Sequence, residues 1–170
     1  MGIDLKNWMQ NLPDGSDLLA LNLCGTHDCV TQHIRLPHFF CCQDLTIYEQ
    51  LLLGVRALDI RVRADGKCLT MVHGIFPAYN HSCHRANLMD MGDVLSQCYR
   101  FLDECPGEAV VFQFKNDNGK ENEQCFDNLF YTYIKGKEPY WYLEDRVPTL
   151  GAARGKLVLI RRCKMEPKPD

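Results

Sequence analysis

No run of about eighteen apolar residues occurs in the chain, so no membrane-spanning helix is expected. No basic run or basic face stands out, and a net charge of -3 gives nothing to attract a nucleic acid. The N-terminal stretch Met1-Gly2-Ile3-Asp4-Leu5-Lys6-Asn7-Trp8 lacks the apolar centre of a signal peptide. Gly2 is placed for myristoylation, but Lys6 stands where that motif wants Ser or Thr. The expected location is therefore cytoplasmic or peripheral at a membrane. No Cys-x-x-Cys pair is present, which argues against a zinc ribbon, and no glycine-rich phosphate loop supports nucleotide binding.

What the chain does have is cysteine, ten in 170 residues. An even count suits disulfides, yet a chain of this size buries roughly two-thirds of its unfolded surface and needs no staples. Reduced thiols acting as small core hydrophobes are the expectation. His81-Ser82-Cys83-His84 is the one tight His/Cys cluster, and a polar loop is favoured there over a metal site.

The stretch from Gly54 to Val62 organises the rest. Leu58, Ile60 and Val62 alternate with Asp59 and Arg61, so one strand face is apolar and the other carries a carboxylate beside a guanidinium. Such a pair is costly to bury unless it is matched, and a structural ion pair or a functional pair would both satisfy the pattern. The flanks tip the balance. Gly25-Thr26-His27-Asp28 follows one strand-like run, Leu18 to Leu23, and Val72-His73-Gly74 ends another, Cys68 to Val72.

Further strands are expected at Ala109 to Phe114 and Lys156 to Ile160, with Asp65-Gly66 as a hairpin-type turn. Helices are expected at Asp4 to Gln10, Gln43 to Leu53, Met91 to Cys105 and Glu121 to Ile134, with loops at 30–42, 74–90 and 135–154. This order predicts an α/β fold with parallel packing, of the TIM-barrel type but incomplete, with about five of the β/α units. His27, His73, Lys115 and Arg162 all follow strands, and in such barrels the active site lies at the C-terminal strand ends.

These residues carry a family resemblance. Asn7-Trp8-Met9, Gly25-Thr26-His27-Asp28, Gly54 to Arg61, Val72-His73-Gly74, Phe101-Leu102 with Pro106, Phe114-Lys115 and Arg154 to Arg162 are collinear over nearly the whole chain. Together they resemble the phosphatidylinositol-specific phospholipase C X-domain, in its bacterial, metal-independent branch. The resemblance implies that residues 1–170 are the first part of a distorted barrel, larger than the usual one of about 250 residues. It implies cleavage of phosphatidylinositol lipids or glycosyl-phosphatidylinositol anchors at a membrane surface, giving inositol 1,2-cyclic phosphate and diacylglycerol, without cofactor or metal. The alternative is a catalytically incomplete fragment that binds phosphoinositol head groups or a complementary half-barrel.

Residue by residue, the resemblance makes His27 the general base, His73 the general acid and Asp28 the carboxylate that orients His73. Arg61 would take the charge growing on phosphorus, with Asp59 holding it, and Lys115 and Arg162 would contact inositol. A carboxylate beside only one histidine would separate the two pKa values. The carboxylate that fixes His27 is expected from later strands. Cys24, Cys29 and Cys163 depart from the residue types usual in the family.

Overall fold

The computed structural model describes Gly2 and residues 4–117 and 123–163. The start of the helix expected at Glu121 and the tail Glu166 to Asp170, read as unable to continue a strand, lie outside the described residues. A single sheet forms the spine. It contains β1 (Gly25–Thr26), β2 (Ala57–Asp65), β3 (Cys68–His73), β4 (Phe76–Pro77), β5 (Val110–Asn116), β6 (Trp141–Tyr142) and β7 (Leu157–Arg161). The order is β4-β3-β2-β5-β7-β6, with β1 also paired to β2. Helices α1 (Pro37–Phe40), α2 (Ile47–Leu52), α3 (Met91–Glu104), α4 (Glu123–Ile134) and α5 (Leu150–Ala153) connect the strands.

Among the described residues five strands run parallel: β1, β2, β5, β7 and β6. The expected number stands, but its members change. Leu18 to Leu23 is not a strand. The Asp17 carboxylate accepts the Leu19 N–H and caps a 3-10 turn at Leu18–Ala20, so only Gly25 and Thr26 join the sheet. β3 is antiparallel to β2, because a two-residue turn cannot make the crossover that parallel pairing needs. β6 falls within residues 135–154, expected to be loop.

The helix starts follow their caps. Thr46 and Glu49 form a capping box, so α2 begins at Ile47 and not at Gln43. Asp90 and Asp93 do the same for α3, which matches the expected helix closely. No helix among the described residues is long and apolar enough to cross a membrane.

Alternation along the strands builds the core. Leu58, Ile60 and Val62 of β2 and Val110, Phe112 and Phe114 of β5 face outward under the helices, where they meet Leu51, Val94, Phe101, Phe126 and Phe130. The opposite parity turns Asp59, Arg61, Gln113 and Lys115 to the inner face, and register sets Asp59 opposite Gln113 and Arg61 opposite Lys115. Cys29, Cys98 and Cys105 are buried in the outer core, as small hydrophobes.

Arg56, at the opposite end of β2 from the inner-face charges, is fully buried. Its guanidinium pairs with the buried Glu108 at 2.8 Å and donates to the carbonyls of Leu51, Val55 and Lys6 at 2.7–2.8 Å. Glu108 in turn accepts the Met9 N–H at 2.9 Å. This one side chain ties the N-terminal turn and the end of α2 to the strand. Arg56→Met should therefore cost about 3–5 kcal/mol in urea unfolding, because it leaves a carboxylate buried and unpaired. Adding Glu108→Leu should recover part of the loss; a double variant as unstable as the sum of the singles would contradict the pairing.

Candidate active site

β1 ends in Gly25-Thr26, and the chain turns at once into His27-Asp28. Asp28 holds φ +45°, a left-handed conformation that Asp tolerates better than most residues but that still carries a cost. Its amide donates to Asp59 Oδ2 at 3.2 Å, and Gln50 secures the turn by bonding Thr26 Oγ1 and the Cys29 carbonyl. The result is a carboxylate with no solvent exposure, aimed inward between two histidines.

His27 Nε2 and His73 Nε2 each lie 3.5 Å from Asp28 Oδ2. The two rings are perpendicular, with centroids 6.3 Å apart. Asp28 thus stands equally beside both histidines, and not beside one alone as expected. The asymmetry comes from elsewhere. His27 Nδ1 lies 3.1 Å from Asp59 Oδ2 and 3.3 Å from an Arg61 nitrogen, whereas His73 Nδ1 lies 3.1 Å from the Phe40 carbonyl. A carboxylate for His27 is therefore present within the chain, on β2. The imidazoles also differ in exposure, 61% for His27 against 23% for His73.

Arg61 sits amid three carboxylates, 3.1 Å from Asp28, 3.1 Å from Asp59 and 3.8 Å from Asp117. Burial works against its charge, but Asp59 and Asp28 more than reverse this and raise its pKa. The two aspartates are pushed apart. Burial raises the Asp28 carboxyl despite Arg61 and His73. Burial also opposes ionisation of Asp59, yet the Asp28 N–H and the Arg61 and Gln113 donors hold it below the usual range. Divergent environments for neighbouring acids are the pattern that separates acid from base roles.

The cavity beside this cluster, about 460 Å³, is lined by Thr26, His27, Asp59, Arg61, Gln113 and Arg162. Arg162 thus reaches the cavity wall. Lys115 does not; it pairs with Asp117, whose other oxygen accepts the Gly74 N–H at 2.7 Å. Asp117 and Gln113 were not singled out from the sequence. The available signal was parity, since 113, 115 and 117 share the inner face with Asp59 and Arg61. His81-Ser82-Cys83-His84 stands apart from the cluster, and His84 accepts the Ala86 N–H.

A curated relative, the 1-phosphatidylinositol phosphodiesterase of Listeria monocytogenes, is 27% identical over 169 residues, which is 93% of this chain and 49% of the relative. The solved phosphatidylinositol-specific phospholipase C of Listeria monocytogenes superposes with a TM-score of 0.77 at 26% identity, over 94% of this chain and 57% of that one. The Staphylococcus aureus enzyme, in a structure concerned with its membrane binding, gives 0.76 at 28% identity, over 94% of this chain and 53% of that one. The chain spans about half the length of the curated relatives it matches. No family model matches. In sequence and in TIM-barrel fold, each over more than nine-tenths of its length, the chain is similar to bacterial phosphatidylinositol phosphodiesterases.

Proposed function

We propose that the chain is the first part of a phospholipase C X-domain, carrying the acid, base and phosphate-binding groups that cleave phosphatidylinositol lipids. The observation that carries this reading is the meeting of His27, His73 and Arg61 around one buried carboxylate. His27 removes the proton of the inositol 2-hydroxyl. That oxygen attacks phosphorus, the bond to the glycerol oxygen breaks, and His73 supplies the proton that the leaving diacylglycerol takes. Inositol 1,2-cyclic phosphate is the product. Arg61, a planar and permanently charged fork, stabilises the negative charge on the phosphoryl oxygens. Asp28 and Asp59 act as positioning residues, and Arg162 is the better placed of the two expected inositol contacts.

The substrate sits in a membrane, and exposed apolar side chains beside the site suit that surface. Phe39 of α1 is 80% exposed and Ile75 72%, while neighbouring Phe40 packs on both His73 and Phe76. The chain is then a peripheral visitor that dips these tips into the interface.

The test is to incubate the protein with phosphatidylinositol vesicles and search for inositol 1,2-cyclic phosphate by mass spectrometry. The cyclic product is expected, in equal yield with and without EDTA. Absence of product would overturn the reading, and head-group binding without turnover would mark a binding fragment. Loss with EDTA and rescue by calcium would remove Arg61 from its assigned place.

A further inference from the structure

The site holds a group that the cleavage reaction does not use. Cys42, half-buried after α1, places its Sγ 3.9 Å from His73 Nδ1. His27, Asp28 and Cys42 each offer one ligand atom, and these atoms all lie within 4.8 Å of one another. We propose that His27, Asp28 and Cys42 form a binding site for a thiophilic divalent cation such as Zn²⁺, and that its occupation competes with cleavage.

Three observations carry this. The donor set is one imidazole, one carboxylate and one thiol, which suits zinc or cobalt(II) and not calcium or magnesium, which want oxygen alone. Metal–ligand bonds of about 2.0–2.3 Å place tetrahedral ligands roughly 3.3–3.8 Å apart, so the cluster needs to contract by about 1 Å. His27, exposed and at the chain's turn, has the freedom to provide that.

The second observation is Asp28 itself. Its carboxylate is fully buried, and neither oxygen meets a hydrogen-bond donor in good geometry, although Arg61 lies within ion-pair distance of Oδ2. Oδ1 is thus an acceptor position to spare. Third, the local charge favours a cation. Among the described residues, Asp28, Asp59 and Asp117 make their ion pairs to permanent cations with two groups, Arg61 and Lys115, while Arg162 lines the adjoining cavity. A bound ion would occupy the lone pair that His27 needs as a base, leaving a three-ligand site with one open position.

Cobalt(II) titration tests the site without substrate, so its failure and a failure of the cleavage reading are distinct. A near-ultraviolet thiolate-to-cobalt charge-transfer band is expected. It should be lost in Cys42→Ser and in His27→Ala, and kept in Cys41→Ser. Zinc should displace the cobalt, and a large excess of calcium should not. Zinc should also inhibit product formation in the parent protein and much less in Cys42→Ser. Circular dichroism checks that each variant folds, and His27→Ala, at an exposed position, serves should Cys42→Ser not fold. A band that survives Cys42→Ser, or no band at saturating cobalt, would overturn the proposal.

Discussion

His73→Ala is expected to slow cleavage of phosphatidylinositol by about 10²–10⁴-fold, the usual contribution of one general acid or base. The same variant should lose far less on a nitrophenyl phosphodiester of inositol. A nitrophenolate leaves without needing a proton, whereas a glycerol alkoxide does not. His27→Ala should lose a comparable factor on both substrates, because the 2-hydroxyl must be deprotonated whatever leaves.

The asymmetry rests on the different partners of the two rings. The Phe40 carbonyl at 3.1 Å favours a proton on His73 Nδ1, leaving Nε2 directed at Asp28. His27 meets Asp59 and Arg61 on its Nδ1 side and is far more open to solvent. Single-turnover rates on the two substrates separate chemistry from release. Equal rescue of both variants by the good leaving group would show that acid and base are interchanged or that neither transfers a proton.

Much of this site was legible in the alternation of β2. Asp59 and Arg61 interrupt an apolar strand on one face, and the histidines follow strand-like runs, so their convergence follows from the sequence pattern. The residues that complete the cluster were hidden for different reasons. Asp117 and Gln113 look like ordinary strand-end polar residues until register sets β5 against β2. Cys42 reaches the site only because α1 folds the loop at 30–42 back under His73, and nothing in its spacing announces that. Asp59 beside His27 departs from the expectation, because the resemblance implies that this carboxylate comes from later strands.

The fold shows the same division. α3, with its apolar stripe, was read almost residue for residue. Leu18 to Leu23 was misread because its leucines satisfy a strand pattern, while the Asp17 side chain caps a turn instead. The Thr46-x-x-Glu49 box, visible in the sequence, would have corrected the start of α2.

Arg61→Lys should lower kcat by roughly 10²–10³-fold, the loss seen when one preorganised donor to a developing oxyanion is removed. Lysine keeps the charge but not the fork, so it cannot hold Asp28 and Asp59 while also presenting a donor to phosphorus. KM should change much less, since the lost contact strengthens only as charge grows. Arg61→Ala removes the charge as well, and its effect has a further signature. Burial already raises the Asp28 carboxyl, and Arg61 is the foremost influence holding it down. Without that cation the folded-state pKa of Asp28 climbs further, so protonation begins at higher pH. The acidic limb of the kcat/KM profile should therefore move upward in Arg61→Ala and stay near its original place in Arg61→Lys. An acidic limb in the same position in both variants would mean that Asp28 is not the carboxylate Arg61 keeps ionised, whatever the rates do.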